Sequence, residues 1–181
     1  MSLFNWFSKK TNENLSTHIS QGAKDFIDGK KNTLTSADVN PEGATVYARF
    51  QKAMELKKEG KFLEAEPLLI KSTEPPSIYH GHYRELFKVW RQFNRNDLKA
   101  EKYKEVSSRV LNMYRLDNEM INEMLRYWSI QHEKKLHKNF FDKYRNLLIG
   151  DAKALKKSAE SLQDEDSFVL SKKLIERFDK K

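Results

Sequence analysis

An all-α fold, built as a stack of antiparallel helix hairpins with a capping helix at its C-terminal end, is what this sequence predicts, and three observations carry the prediction. The stretch from Ala53 to Leu69 reads as two amphipathic helices folded back on each other across Gly60. Only six glycines and four prolines punctuate 181 residues, too few for the turns of a sheet-rich domain. Beyond Pro41, apolar residues recur at helical spacing in runs separated by short polar turns, as expected of antiparallel neighbours. A single hairpin cannot bury its own apolar stripe, so it requires neighbours of the same kind.

Residues 8–40 are rich in Ser, Thr, Asn, Asp and Lys, and Asp28-Gly29-Lys30-Lys31-Asn32 is turn-like. Residues 1–40 are therefore expected to be a flexible extension, with a short helix over Ile19 to Ile27 that places Ala23, Phe26 and Ile27 on one side. The helical-repeat domain is expected over 41–181. It starts at Asn40-Pro41-Glu42, which supplies an N-cap, a proline at the first helical position and an acid in the first turn.

The first helix of that domain carries Val46, Tyr47, Phe50, Ala53, Met54 and Leu56 and ends at Gly60. The second runs from Phe62 to Ser72, with Pro75-Pro76 closing it. A third spans Ser77 to Phe93, with Tyr79, Tyr83, Leu86, Phe87, Trp90 and Phe93 on one broad side. Asn94-Arg95-Asn96-Asp97 then predicts a turn, and a fourth helix takes Ala100, Tyr103, Val106, Val110, Leu111 and Tyr114. Asp117-Asn118-Glu119 predicts the cap of a fifth helix with Met120, Ile121, Met124, Leu125, Trp128 and Ile130. A sixth, with Leu136, Phe140, Phe141, Tyr144, Leu147 and Leu148, is expected to stop at Gly150-Asp151. A short helix over Ala152 to Leu162 follows. After Gln163-Asp164-Glu165-Asp166 the capping helix carries Phe168, Leu170, Leu174, Ile175 and Phe178.

Composition narrows the function. A hydrophobic share of 38% and an aromatic share of 12% suffice for a core, and the absence of cysteine excludes disulfides, thiolate zinc sites and a cysteine nucleophile. The formal charge of +8 and pI near 9.4 favour acidic partners, although charges of alternating sign also describe solvated helix faces. No apolar run is long enough to span a bilayer. Lys9 and Lys10 follow the Leu3, Phe4, Trp6, Phe7 cluster, whereas in a secretory signal they would precede a longer apolar region. A cytoplasmic location is the expectation. The same four apolar residues suit a weak peripheral membrane contact, a docking segment or packing on the protein itself.

Gly60, Phe62 and Ala65, with Ala53 seven positions before the glycine, resemble the small–glycine–aromatic–alanine core of a tetratricopeptide repeat. Leu98-Lys99-Ala100-Glu101 parallels Leu63-Glu64-Ala65-Glu66 at an offset of 35 residues, against a family period of about 34. Arg95 and Asp97 stand where the glycine and aromatic of that second unit would be. A third unit near residues 117–150 keeps the helix-pair length and apolar pattern alone. The resemblance implies a TPR-like α-solenoid acting as a scaffold whose concave surface binds a peptide or partner protein. A compact helical bundle with a glycine turn is the competing architecture.

The sharpest constellation is Arg84, Lys88, Arg91 and Arg95, whose steps of four, three and four residues place all four cations on one helix face. Such a stripe would dock carboxylates or phosphates through arginine forks; the competing reading is a solvated face offset by acids such as Glu85. Tyr47, Lys57 and Lys58 join it if the first helix shares the concave side. Tyr79, Tyr83, Phe87 and Trp90 adjoin the stripe, a mixture that also serves single-stranded nucleic-acid binding, although large aromatics at helical spacing more often pack in a core.

His132 and His137 are five apart, whereas a zinc-protease helix needs histidines four apart to share one metal. His80-Gly81-His82 reads as a polar turn before a helix, without a clustered third ligand. No metal, no cofactor and no catalytic constellation is predicted. The expected role is a non-catalytic adaptor for a protein or peptide partner of acidic character, the alternative being an RNA or single-stranded DNA binding module that uses the same stripe.

Overall fold

The computed structural model describes residues 21–33, 35, 38, 41–74, 76, 78–132 and 141–179. Among these residues every regular element is a helix: α1 (Gln21–Ile27), α2 (Pro41–Lys58), α3 (Phe62–Ser72), α4 (His80–Lys99), α5 (Tyr103–His132), α6 (Ile149–Leu162) and α7 (Glu165–Asp179). The chain forms two compact units, Met1–Ala48 and Arg49–Lys181. The Leu3, Phe4, Trp6 and Phe7 cluster and residues 133–140, with Leu136, His137 and Phe140, lie outside the described residues.

In the first unit, the chain after α1 turns at Gly29, whose φ of +71° suits glycine. The expected apolar side of α1 is not buried, with Phe26 and Ile27 both exposed. Asp38 organises the following segment by accepting hydrogen bonds from Lys31 Nζ at 2.6 Å, Thr35 N at 2.7 Å and Thr35 Oγ1 at 2.6 Å. The Lys31 hydrogen bond, then those of Thr35, hold its carboxyl down to about 2.

The second unit begins in the C-terminal part of α2, which buries Ala53 and Leu56. Gly60 ends that helix in the left-handed conformation, φ +77°, while the Lys61 amide donates to the Leu56 carbonyl at 2.9 Å. Helix α3 has the expected bounds and buries Ala65 and Leu69. Helix α4 supplies the centre of the core, with Tyr83, Leu86, Phe87, Val89 and Trp90 buried and the Phe87 and Trp90 rings stacked at 6.1 Å. Each such side chain removed from water contributes about 1.5–3 kcal/mol. From α3 to α7 every helix packs on its successor, and α4 also reaches α6. This succession is consistent with a helical-repeat arrangement.

Three polar runs depart from expectation. Asn94 to Asp97 lies inside α4, which closes at Ala100 with Glu101 at φ +57°. Asn94 and Asp97 turn toward α5, where Arg109 donates to Asn94 Oδ1 at 3.2 Å and to Asp97 Oδ2, while Arg95 and Asn96 between them are exposed. Asp117 to Glu119 does not cap a new helix but sits within the 30-residue α5. Its buried positions Val106, Val110, Met113, Asp117, Met120 and Met124 recur in steps of four and three, so one continuous ridge crosses the polar run. Gly150 and Asp151 open α6 rather than ending a helix, and the Asp151 carboxylate accepts the Leu148 amide at 2.9 Å.

Candidate functional site

The twenty residues of α4 contain the whole predicted stripe. Arg84 is exposed and has no ion-pair partner among the described residues. Lys88 is exposed and bonds Glu85 at 2.6 Å, and Arg95 is exposed and bonds Gln92. Arg91 differs: its side chain is 21% exposed and forks onto Asp151, Nε to Oδ1 at 2.9 Å and Nη2 to Oδ2 at 2.7 Å. The same Nη2 donates to the Asn146 carbonyl at 2.6 Å.

Of the additional candidates, Lys57 reaches Glu85 from α2, and Lys58 is exposed. Tyr47 is exposed and belongs to the first unit. Burial acts to raise the Glu85 carboxyl, but hydrogen bonds from Lys57 and Lys88 outweigh it and hold the group below its ordinary range. The aromatic candidates divide as well. Tyr83, Phe87 and Trp90 are in the core, and Trp90 Nε1 donates to Glu66 at 2.6 Å, while Tyr79 is exposed.

Arg91 belongs to a buried polar hub that sequence reasoning missed. Asp117, fully buried on α5, accepts the Asn146 amide at 2.7 Å and Arg145 Nη1 at 2.7 Å. Burial pushes the Asp117 carboxyl up from its ordinary range against the pull of those donors. Asn146 Nδ2 lies 3.5 Å from the His80 carbonyl and 3.3 Å from Met120 Sδ. Two ion pairs thus fasten residues 145–151 to α4 and α5. Both acids are 5% exposed or less and are satisfied by these donors, so the two pairs hold the fold together.

His80 and His82 stand inside α4 rather than in a loop. The His80 ring meets Tyr144 edge-on at 5.5 Å. His82 packs on Phe50 at 4.4 Å, and its Nδ1 is 3.0 Å from the Ser72 carbonyl, the geometry of an N–H donor. Burial lowers the His82 pKa from 6.5, with the Ser72 carbonyl opposing. The folded protein therefore binds this proton less readily than the unfolded chain. Stability from His82 is full above 6.5 and is lost as pH falls through the lower folded value. A urea-midpoint series from neutral to acid pH should fall less steeply in His82→Gln than in the wild type, and parallel profiles would show that His82 carries no such linkage.

Among the described residues no group of three or more metal-ligating side chains forms, and no helix is long and apolar enough to cross a membrane. The sequence reading also missed Lys99, which extends the exposed stripe because α4 continues past residue 97. Comparison of the chain with protein family models, curated proteins and solved structures finds no match in any of the three.

Proposed function

We propose that the protein is a non-catalytic scaffold of tetratricopeptide-like construction that docks an acidic protein or peptide segment on the exposed face of α4. The composition of that face carries the reading. Beyond the first turn its exposed side chains are Arg84, Lys88, Arg95, Asn96 and Lys99, four cations and one amide without a carboxylate. Like charges at this spacing cost the helix tenths of a kcal/mol per pair, a cost that a carboxylate-bearing ligand offsets.

The order of contacts supports a stack in which alternate helices run the same way. Phe50 and then Lys57 of α2 meet His82 and then Glu85 of α4. His80 and then Arg91 of α4 meet Tyr144 and then Asp151. Successive helix hairpins generate this parallel relation between every second helix. A peptide is favoured over a single nucleic-acid strand because Tyr83, Phe87 and Trp90, which would stack bases, are withdrawn into the core.

The test is affinity capture from native lysate with the wild type and an Arg84→Glu/Arg95→Glu variant, each with and without nuclease. A protein partner that survives nuclease and is lost with the variant supports the scaffold reading. Capture that depends on nucleic acid replaces it with the nucleic-acid reading. Arg91 is left intact because its side chain holds Asp151.

A further inference from the structure

We infer that the docking surface continues from α4 onto α6, where Lys153 and Lys157 form its far edge, and that its occupant is an acidic stretch of polypeptide lying across the two helices. The inference rests on the α4 reading above. Its independent observation is the way α6 divides its cations. Lys156 pairs with Glu160 at 3.8 Å and lies 5.8 Å over the Phe168 ring. Lys153 and Lys157 are exposed and have no ion-pair partner among the described residues.

The Arg91–Asp151 bridge fixes which sides of the two helices face one another. At about 100° per residue, Arg84, Lys88, Arg95 and Lys99 lie roughly 20–80° from Arg91 in one rotational sense. Counted the same way from Asp151, Lys157 and Lys153 lie roughly 120–160° away in the opposite sense, and Lys156 falls on the other side. Because α4 and the segment entering α6 meet in the same chain order, opposite rotational senses lead to the same side of the pair. Lys157 and Lys153 therefore lie on the same side of the pair as the exposed cations of α4 but on the far flank of α6, beyond a bridge whose own charges cancel.

Packed helices stand about 8–10 Å apart, a gap that about three residues of extended chain cross. Because the lysines lie beyond the α6 axis, carboxylates spaced by more than that interval would engage both helices. Charge complementarity selects the occupant: the surface presents arginine and lysine with no exposed acid on α4 beyond its first turn, and the exposed Glu160 of α6 is paired with Lys156.

The experiment is a fluorescence-anisotropy titration of the full chain with a labelled polyglutamate peptide and, separately, with a labelled single-stranded RNA of equal charge. Lys153→Glu/Lys157→Glu should weaken peptide binding roughly tenfold or more, while Lys156→Glu leaves it within about twofold. Melting curves that overlay the wild type confirm that each variant is folded. If Arg84→Glu/Arg95→Glu abolishes binding but the α6 variant matches the wild type, the extension is overturned and the α4 reading stands. If the wild type ignores the peptide, or binds the RNA more tightly, both are overturned.

Discussion

Asp117→Ala is expected to destabilise the second unit by about 3–5 kcal/mol, the usual consequence of removing one partner from a buried charge pair. Asp117 is fully buried, and its carboxylate holds both the Arg145 guanidinium and the Asn146 amide at 2.7 Å. Arg145 is itself only 11% exposed, and its Nε already lacks a hydrogen-bond partner. Truncation would leave the guanidinium with Asn118 Oδ1, at 3.2 Å, as its hydrogen-bond acceptor and the Asn146 amide with none, in a low-dielectric setting. Asp117→Asn should cost less, since its carbonyl still accepts from Asn146, but its amide would face Arg145 as a second donor. The double replacement Asp117→Leu/Arg145→Met should cost less than the two single changes added together. Urea unfolding of the wild type, these variants and the two single replacements checks this; a single Asp117→Ala effect below about 1 kcal/mol would mean that the pair does not organise residues 145–147.

Arg91→Glu carries the second large effect, again about 3–5 kcal/mol. It would set a carboxylate against Asp151, which is 5% exposed, and remove the donor to the Asn146 carbonyl. Asp151 also caps α6 through the Leu148 amide, so its displacement would fray that helix start. At about 2–4 °C per kcal/mol for a chain of this size, thermal melting should drop by roughly 10 °C. Arg84→Glu and Arg95→Glu, both at exposed positions, should each stay within about 0.5 kcal/mol. If Arg91→Glu melts with the wild type, the bridge between α4 and α6 is dispensable and the geometry assigned to the docking surface loses its anchor.

The all-α class, the bounds of α3 and the turn at Gly60 were legible because their signals are local: apolar spacing, a glycine able to adopt positive φ, and short polar joints. The core of α4 was legible for the same reason, with Tyr83, Leu86, Phe87 and Trp90 on one side. The misread joints share a different physics. Asn94, Asp97, Asp117 and Asp151 have turn or cap chemistry in sequence, but their side chains serve partners on other elements, such as Arg109 for Asp97 and Arg91 for Asp151. Nothing within a few residues announces those partners. One clue was present: Asp117 occupies a step in the apolar ridge of α5, which marks it as interior rather than as a cap.

The candidate site was legible in the same partial way. Spacing alone put Arg84, Lys88, Arg91 and Arg95 on one face, whereas the separation of Arg91 from the exposed three required its contacts. Lys99 became visible only with the true end of α4, whereas the α6 lysines lie inside the expected Ala152 to Leu162 helix and were related to α4 only by the Arg91–Asp151 bridge.

The most direct measurement is the equilibrium affinity of the wild type and of Arg84→Glu/Arg95→Glu for the labelled polyglutamate peptide at low salt. Retained melting temperature with binding weakened at least about tenfold is the predicted result. Equal affinity of two folded proteins would contradict the assignment of the α4 face as a docking surface.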